Sequence, residues 1–137
     1  MENQKILIVD DDPDLRRALR IRLQANHYDT VQASDGYTAM SVAQKERPNL
    51  IILDLGLPAG DGFVVLERFR VNPAISVTPV IVVSGRDAYA NKERALKAGA
   101  KAFVQKPWND NELLAIIAEL LGYSETATKS GEYRLID

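Results

Sequence analysis

The chain has 137 residues, with 17 Lys and Arg against 19 Asp and Glu and a formal net charge of −2. That length fits one domain of ~150 residues, able to bury a core without staples. Cysteine is absent and His27 is the single histidine; this excludes disulfide scaffolds, thiolate zinc sites, iron–sulfur clusters, cysteine nucleophiles and multi-histidine metal sites. A slightly acidic chain is no electrostatic clamp for nucleic acid, and no apolar stretch approaches the ~20 residues of a membrane span. Met1 to Lys5 leads straight into an apolar run rather than reading as a signal peptide. The expectation is therefore a cytoplasmic protein with neither a membrane nor a direct nucleic-acid partner.

In chain order, five short runs read as strands: Ile6–Val9, Thr30–Ala33, Leu50–Leu53, Val80–Val83 and Ala102–Val104. The first, third and fourth are continuously apolar, the signature of strands covered on both faces. The segments between have helical spacing. Leu15, Leu19 and Leu23 recur every four residues with Ala18 assigned to the same face, and Asp12-Pro13 reads as a cap followed by proline in the first turn. Ala39 and Ala43 mark a second helix that ends before Pro48, and Phe63, Leu66 and Phe69 mark a third. A fourth runs from Ala88 to Ala98 and stops at Gly99. The fifth carries Leu113, Ile116, Ile117, Leu120 and Leu121, opens at Asn109 with Glu112 three residues on, and closes at Gly122. Residues 1–122 form the predicted domain. Residues 123–137, rich in Ser, Thr and Glu, read as a C-terminal tail or linker.

Strand–helix alternation predicts an α/β fold: a five-stranded parallel sheet with helices on both faces and right-handed crossovers. Ligands in such sheets bind beyond the carboxyl ends of the strands. The first strand ends in Asp10-Asp11-Asp12, the third in Asp54 and the fourth in Ser84, while Lys106-Pro107 follows the fifth. With the second strand at an edge, order 2-1-3-4-5, these groups converge. Two charges ~4 Å apart interact with about 4 kcal/mol at an effective dielectric near 20, so three carboxylates need protonation, Lys106 or a cation beside them. Oxygen donors without Cys or His suit Mg²⁺, whose unfilled coordination positions accept phosphate oxygens. A turn of three aspartates is the opposite of a glycine-rich phosphate loop, and no G-x-x-x-x-G-K-[ST] is present. The glycines of Gly56-Leu57-Pro58-Ala59-Gly60-Asp61-Gly62 read as turn residues.

Four separated pieces carry a resemblance: Ile6-Leu7-Ile8-Val9-Asp10-Asp11; Leu53-Asp54-Leu55-Gly56-Leu57-Pro58 with Asp61-Gly62; Val82-Val83-Ser84-Gly85; and Phe103-Val104-Gln105-Lys106-Pro107. Together they make the chain resemble the receiver domain of two-component response regulators, similar to the chemotaxis regulators, over about residues 4–122. The resemblance implies the flavodoxin-like (βα)5 sandwich with Asp54 as phosphoacceptor. It implies Asp11 as a direct Mg²⁺ ligand (Mn²⁺ being the substitute ion), Asp10 acting through water, and the Gly56 carbonyl completing the protein ligands. Ser84 would bond the phosphoryl oxygens, Lys106 would pair with Asp54 and then with the phosphoryl group, and Phe103 would be the aromatic switch. It further implies a cis bond before Pro107 and a histidine kinase or histidine phosphotransfer protein as donor. An output domain or target protein, and in many relatives a homodimer, complete the implied partners. Gly56 and Arg86 depart from the more usual residues at positions flanking the path of attacking water.

Two other readings stand beside this one. A Mg²⁺-dependent phosphatase with an aspartyl-phosphate intermediate would use Asp10 as nucleophile and Asp12 as its second acid, and would carry the label on Asp10. A receiver-like interaction module would not be phosphorylated at all. The run Arg16, Arg17, Arg20, Arg22 reads as a solvated helix face, with a phosphodonor docking surface as the sharper alternative. Trp108 reads as packing or capping the fifth helix and His27 as a surface residue.

Overall fold

The computed structural model describes residues 3–57, 61–85 and 88–122. Pro58, Gly60, Arg86, Asp87 and the tail from Tyr123 to Asp137 lie outside the described residues.

Five strands, β1 (Lys5–Val9), β2 (Asp29–Ala33), β3 (Leu50–Asp54), β4 (Val80–Ser84) and β5 (Ala102–Gln105), alternate with five helices. These are α1 (Pro13–Ala25), α2 (Gly36–Glu46), α3 (Asp61–Val71), α4 (Ala88–Lys97) and α5 (Asp110–Leu120). All strand pairs are parallel and the sheet order is β2-β1-β3-β4-β5, as the sequence pattern predicted. The three continuously apolar runs form the three inner strands, which are buried along almost their whole length.

The period-2 alternation of the strands divides the core in two. Leu7, Val9, Ile51, Leu53, Val80 and Val82 face a layer containing Ala39, Ala43, Leu66, Phe69 and Ala95 of α2, α3 and α4. Ile6, Ile8, Leu50, Ile52, Ile81 and Val83 face Leu19 and Leu23 of α1 and Leu113 and Ile117 of α5. Trp108 packs on this second cluster, and its indole Nε1 donates to Asp110 Oδ1 at 3.1 Å, so it both packs and ties the start of α5. Ala18 is exposed, contrary to its assigned face. At 100° per residue it lies about 100° round from the centre of the Leu15–Leu19–Leu23 stripe.

The helix boundaries follow local chemistry. The Asp12 carboxylate accepts from the N–H groups of Asp14 and Leu15, with Pro13 in the first turn of α1. Asp35 caps α2 by accepting from Thr38 N–H, and Asn109 caps α5 by accepting from Glu112 N–H. Gly99 and Gly122 have φ of 114° and 84°, the left-handed region that ends a helix cheaply with glycine. His27, also at positive φ (71°), is exposed beyond α1.

Gly62 corrects the reading of its segment as turn glycines. It lies in the first turn of α3, donates to Leu55 O at 3.1 Å, and leaves no room for a side chain. A Cβ there would sit 2.5 Å from Leu55 Cα and 2.7 Å from Asp54 O, both backbone atoms. Gly62→Ala should therefore cost about 2 kcal/mol, read as a lowered urea midpoint with unchanged m-value. Asn109→Ala should cost about 1 kcal/mol through loss of the α5 cap and lower the melting temperature by about 4 °C, with Asn109→Asp recovering most of it.

Candidate functional site

Parallel register sets the site. Val9 lies opposite Leu53, so the next step brings Asp10 beside Asp54. The ladder between β4 and β5 continues past the strand end, with Lys106 N–H donating to Ser84 O at 2.9 Å. Asp10, Asp54 and Lys106 share the alternation of Ile8, Ile52 and Val104, toward the α1/α5 layer. Ser84 and Phe103 share the opposite alternation, with Val82, toward the α4 layer.

The three groups meet. Lys106 Nζ lies 3.2 Å from Asp10 Oδ2 and 3.4 Å from Asp54 Oδ1. Asp54 Oδ1 also accepts from Gly56 N–H at 3.0 Å, and Asp10 Oδ1 accepts from Asp12 N–H at 2.9 Å. Asp10 is 1% exposed, Asp54 5% and Ser84 0%, whereas Asp11 is exposed. One carboxylate oxygen from each of Asp10, Asp11 and Asp54 lies within 4.8 Å of the other two. That spacing, with oxygen donors alone, fits a small hard divalent cation: the atoms are close enough to share one ion, and Asp11 is open to solvent for the waters Mg²⁺ retains. The peptide bond between Lys106 and Pro107 is cis.

Lys106 bridges both buried carboxylates, as the charge argument required, where the resemblance named Asp54 alone as its partner. Burial by itself would lower the Lys106 pKa, but the charges of Asp10 and Asp54 outweigh it, hold it above the ordinary lysine value and keep the ammonium charged. Burial raises the Asp10 carboxyl pKa and the Asp54 charge raises it further, against the hydrogen bonds from Asp12 N–H and Lys106. A cleft beside the acceptor, of about 290 Å³, is lined by Gly56, Phe63, Ser84, Asn91 and Arg94 among others. Gly56 leaves it open, since a Cβ there would stand 3.5 Å from Asp54 Oδ1. The Arg94 guanidinium lies over the Phe63 ring, 3.7 Å from its centroid, and ties α4 to α3. Phe103 is half-buried against the α4-side core.

The arginine run divides on inspection. Arg17 pairs with Asp14 and Arg22 with Asp110, while Arg16 turns in, so the run is not one solvated face. The contact of Arg16 with the Asp10 backbone was missed by the sequence reading. The available signal was its place one turn after the Asp12 cap, next to the acidic strand end. Because the folded Asp10 pKa is raised, its contribution to stability is full below the ordinary carboxylate value and is lost as pH rises through the raised one. Asp10→Asn should consequently raise the urea midpoint at pH 7 in EDTA, and the gain should shrink as pH falls toward 3.8.

Residues 6–118 match the family described as the response regulator receiver domain. The chain is 42% identical over 110 residues to the transcriptional regulatory protein KdpE of Mycobacterium tuberculosis, covering 80% of this chain and 47% of that protein. It is 34% identical over 132 residues to the alkaline phosphatase synthesis regulator PhoP of Bacillus subtilis, covering 96% and 54%. The chain thus spans about half the length of these curated relatives. Among solved structures, a putative response regulator from Chloroflexus aurantiacus aligns with a TM-score of 0.84 at 27% identity, over 88% of this chain and 99% of that one. The receiver domain of a sensor histidine kinase from Pseudomonas aeruginosa, solved with a magnesium ion in its active-site cleft, aligns with a TM-score of 0.80 at 27% identity, over 88% and 98%. Fold, strand-end chemistry and sequence agree: the chain belongs to the receiver domains of two-component response regulators.

Proposed function

We propose that this receiver takes a phosphoryl group onto Asp54 and uses the modification as a signal, with residues 1–122 as the working unit. The observation that carries the reading is the position of Asp54. It is a nearly buried carboxylate, 5% exposed, with Lys106 Nζ 3.4 Å away and oxygens of Asp10 and Asp11 within 4.8 Å of its own. Asp10, Asp11, Asp54 and the Gly56 carbonyl would hold Mg²⁺, or Mn²⁺ in its place. Bound there, the ion would neutralise charge shared between carboxylate and phosphoryl oxygens.

An Asp54 oxygen attacks phosphorus, and the bond to the donor breaks with its electron pair leaving on the donor atom. For a phosphohistidine on a kinase or phosphotransfer protein, that atom is an imidazole nitrogen, which then takes up a proton. Phosphoryl transfer needs alignment and charge compensation more than covalent assistance. Lys106 supplies a fixed positive charge and the Ser84 hydroxyl a hydrogen bond to an equatorial oxygen. Water reaching phosphorus through the cleft beside Gly56 reverses the modification, so the chain promotes its own charging and discharge without turning over a separate substrate.

Readout follows from the opposite alternation of Ser84 and Phe103. Drawing the Ser84 hydroxyl toward the phosphoryl group vacates space on the α4 side of the sheet, into which Phe103 turns. The surface of α4, β5 and α5 changes with it and meets an output domain, a target protein or a second copy. The names of the longer relatives, KdpE and PhoP, support a transcriptional output for a regulator of this kind.

Incubation with Mg²⁺ and acetyl phosphate, followed by intact-mass measurement, tests the assignment. The native chain should gain one phosphoryl group that hydroxylamine removes, Asp54→Ala should gain none, and omission of Mg²⁺ should prevent the gain. Labelling that survives in Asp54→Ala and is lost in Asp10→Asn would instead favour the phosphatase chemistry.

A further inference from the structure

Arg16 makes two part-buried hydrogen bonds, and neither is to a carboxylate. Its Nη1 donates to the backbone carbonyl of Asp10 at 2.7 Å, and its Nε donates to Gln32 Oε1, on β2, at 3.1 Å. The first is a short, charge-assisted bond. It falls on a carbonyl just past the end of β1, where the ladder no longer supplies a partner.

Peptide planarity gives this bond leverage. The Asp10 carbonyl lies in one plane with the N–H and Cα of Asp11, so fixing the direction of that oxygen fixes where the Asp11 side chain starts. The rest of the turn is held by other means: Asp10 N–H donates to Ala33 O at 3.1 Å, and Asp12 N–H donates to the Asp10 carboxylate at 2.9 Å. Asp11 itself is exposed, and its carboxylate has no hydrogen bond among the described residues. Its orientation therefore depends on its backbone. Gln32 in turn holds the guanidinium from the neighbouring edge strand.

We propose that Arg16 is a positioning residue for the metal site. By bracing the Asp10–Asp11 peptide it presents the Asp11 carboxylate to a divalent cation, with Gln32 as its support. The inference rests on the reading that Asp10, Asp11 and Asp54 hold Mg²⁺. Loss of a group that orients a metal ligand typically weakens metal affinity about 10- to 100-fold.

The test is calorimetric titration of the whole chain with Mg²⁺ alone, paired with urea unfolding in EDTA. Arg16→Ala should raise the Mg²⁺ dissociation constant about tenfold or more. Arg16→Lys, which can still reach the carbonyl but forfeits the Gln32 contact, should recover part of the loss, and Gln32→Leu should show a smaller weakening. Arg17→Ala removes the same charge from the adjacent, exposed position paired with Asp14, and should leave the dissociation constant within about twofold, since surface charges are screened. An Arg16→Ala chain that is less stable in EDTA but binds Mg²⁺ as tightly as the native one overturns the proposal. So does equal weakening by Arg17→Ala, which would reduce the effect to net charge. Should Arg16→Ala fail to fold, unchanged affinity in both Arg16→Lys and Gln32→Leu overturns it. A native chain that binds no Mg²⁺ removes the metal-site reading itself, so the two failures are distinct.

Discussion

The mutual repulsion of three carboxylates at one edge of the sheet is the constraint around which the molecule is arranged. At an effective dielectric near 20, two such charges 4.8 Å apart repel by about 3.5 kcal/mol. Lys106, close to both Asp10 and Asp54, offsets two of these interactions and leaves the cluster with an excess of negative charge. Folding nevertheless carries the groups to this place, because the register that joins Val9 to Leu53 is fixed by the apolar side chains on both faces of the sheet. Slipping a strand by one residue would reverse every side chain. The core thus holds the acidic edge in a state it would relax from if free, and the cluster is assembled by the fold itself.

The same alternation divides the strand-end residues between the two faces of the sheet. Asp10, Asp54 and Lys106 belong to one side of the sheet, while Ser84 and Phe103 belong to the other, beneath α4. The helix over that second side is thinly anchored. Among the described residues of α4, Ala95 is fully buried, and the long side chain Arg94 reaches out to the Phe63 ring rather than into the core. A short alanine-lined contact resists displacement less than the leucine and isoleucine contacts that seat α1 and α5.

The parallel sheet covered on both faces, and the strand-end placing of Asp10, Asp54 and Lys106, were legible in the sequence from period and chain order, while their convergence rested on taking the second strand as an edge, which the observed order bears out. Continuous apolar runs marked inner strands, and strand ends marked the functional edge. What escaped were contacts that depend on how far a side chain reaches. Arg16 looked like one more exposed arginine of a basic run, since nothing in the spacing distinguishes a guanidinium that folds back onto a carbonyl. Ala18 was placed on the buried face by proximity to Leu19, where the angular phase of the helix puts it on the flank. Gly62 looked like a turn residue beside two other glycines. Its role is close approach of helix to strand, a property of three-dimensional distance that composition does not carry.

The opposite edge of the sheet is built on other terms. There Lys5 N–H donates to Asn49 Oδ1 at 2.7 Å, Asn49 N–H returns a bond to Lys5 O at 2.7 Å, Asp29 N–H donates to Gln4 O at 2.9 Å, and Lys5 Nζ meets Glu46 at 2.9 Å. Donors and acceptors are matched there and charges are balanced. Ballast and chemistry therefore occupy opposite ends of the same five strands. Substitutions that strengthen or loosen the quiet end lie the length of a strand away from the acidic end, which leaves such a scaffold free to vary its robustness apart from its acidic cluster.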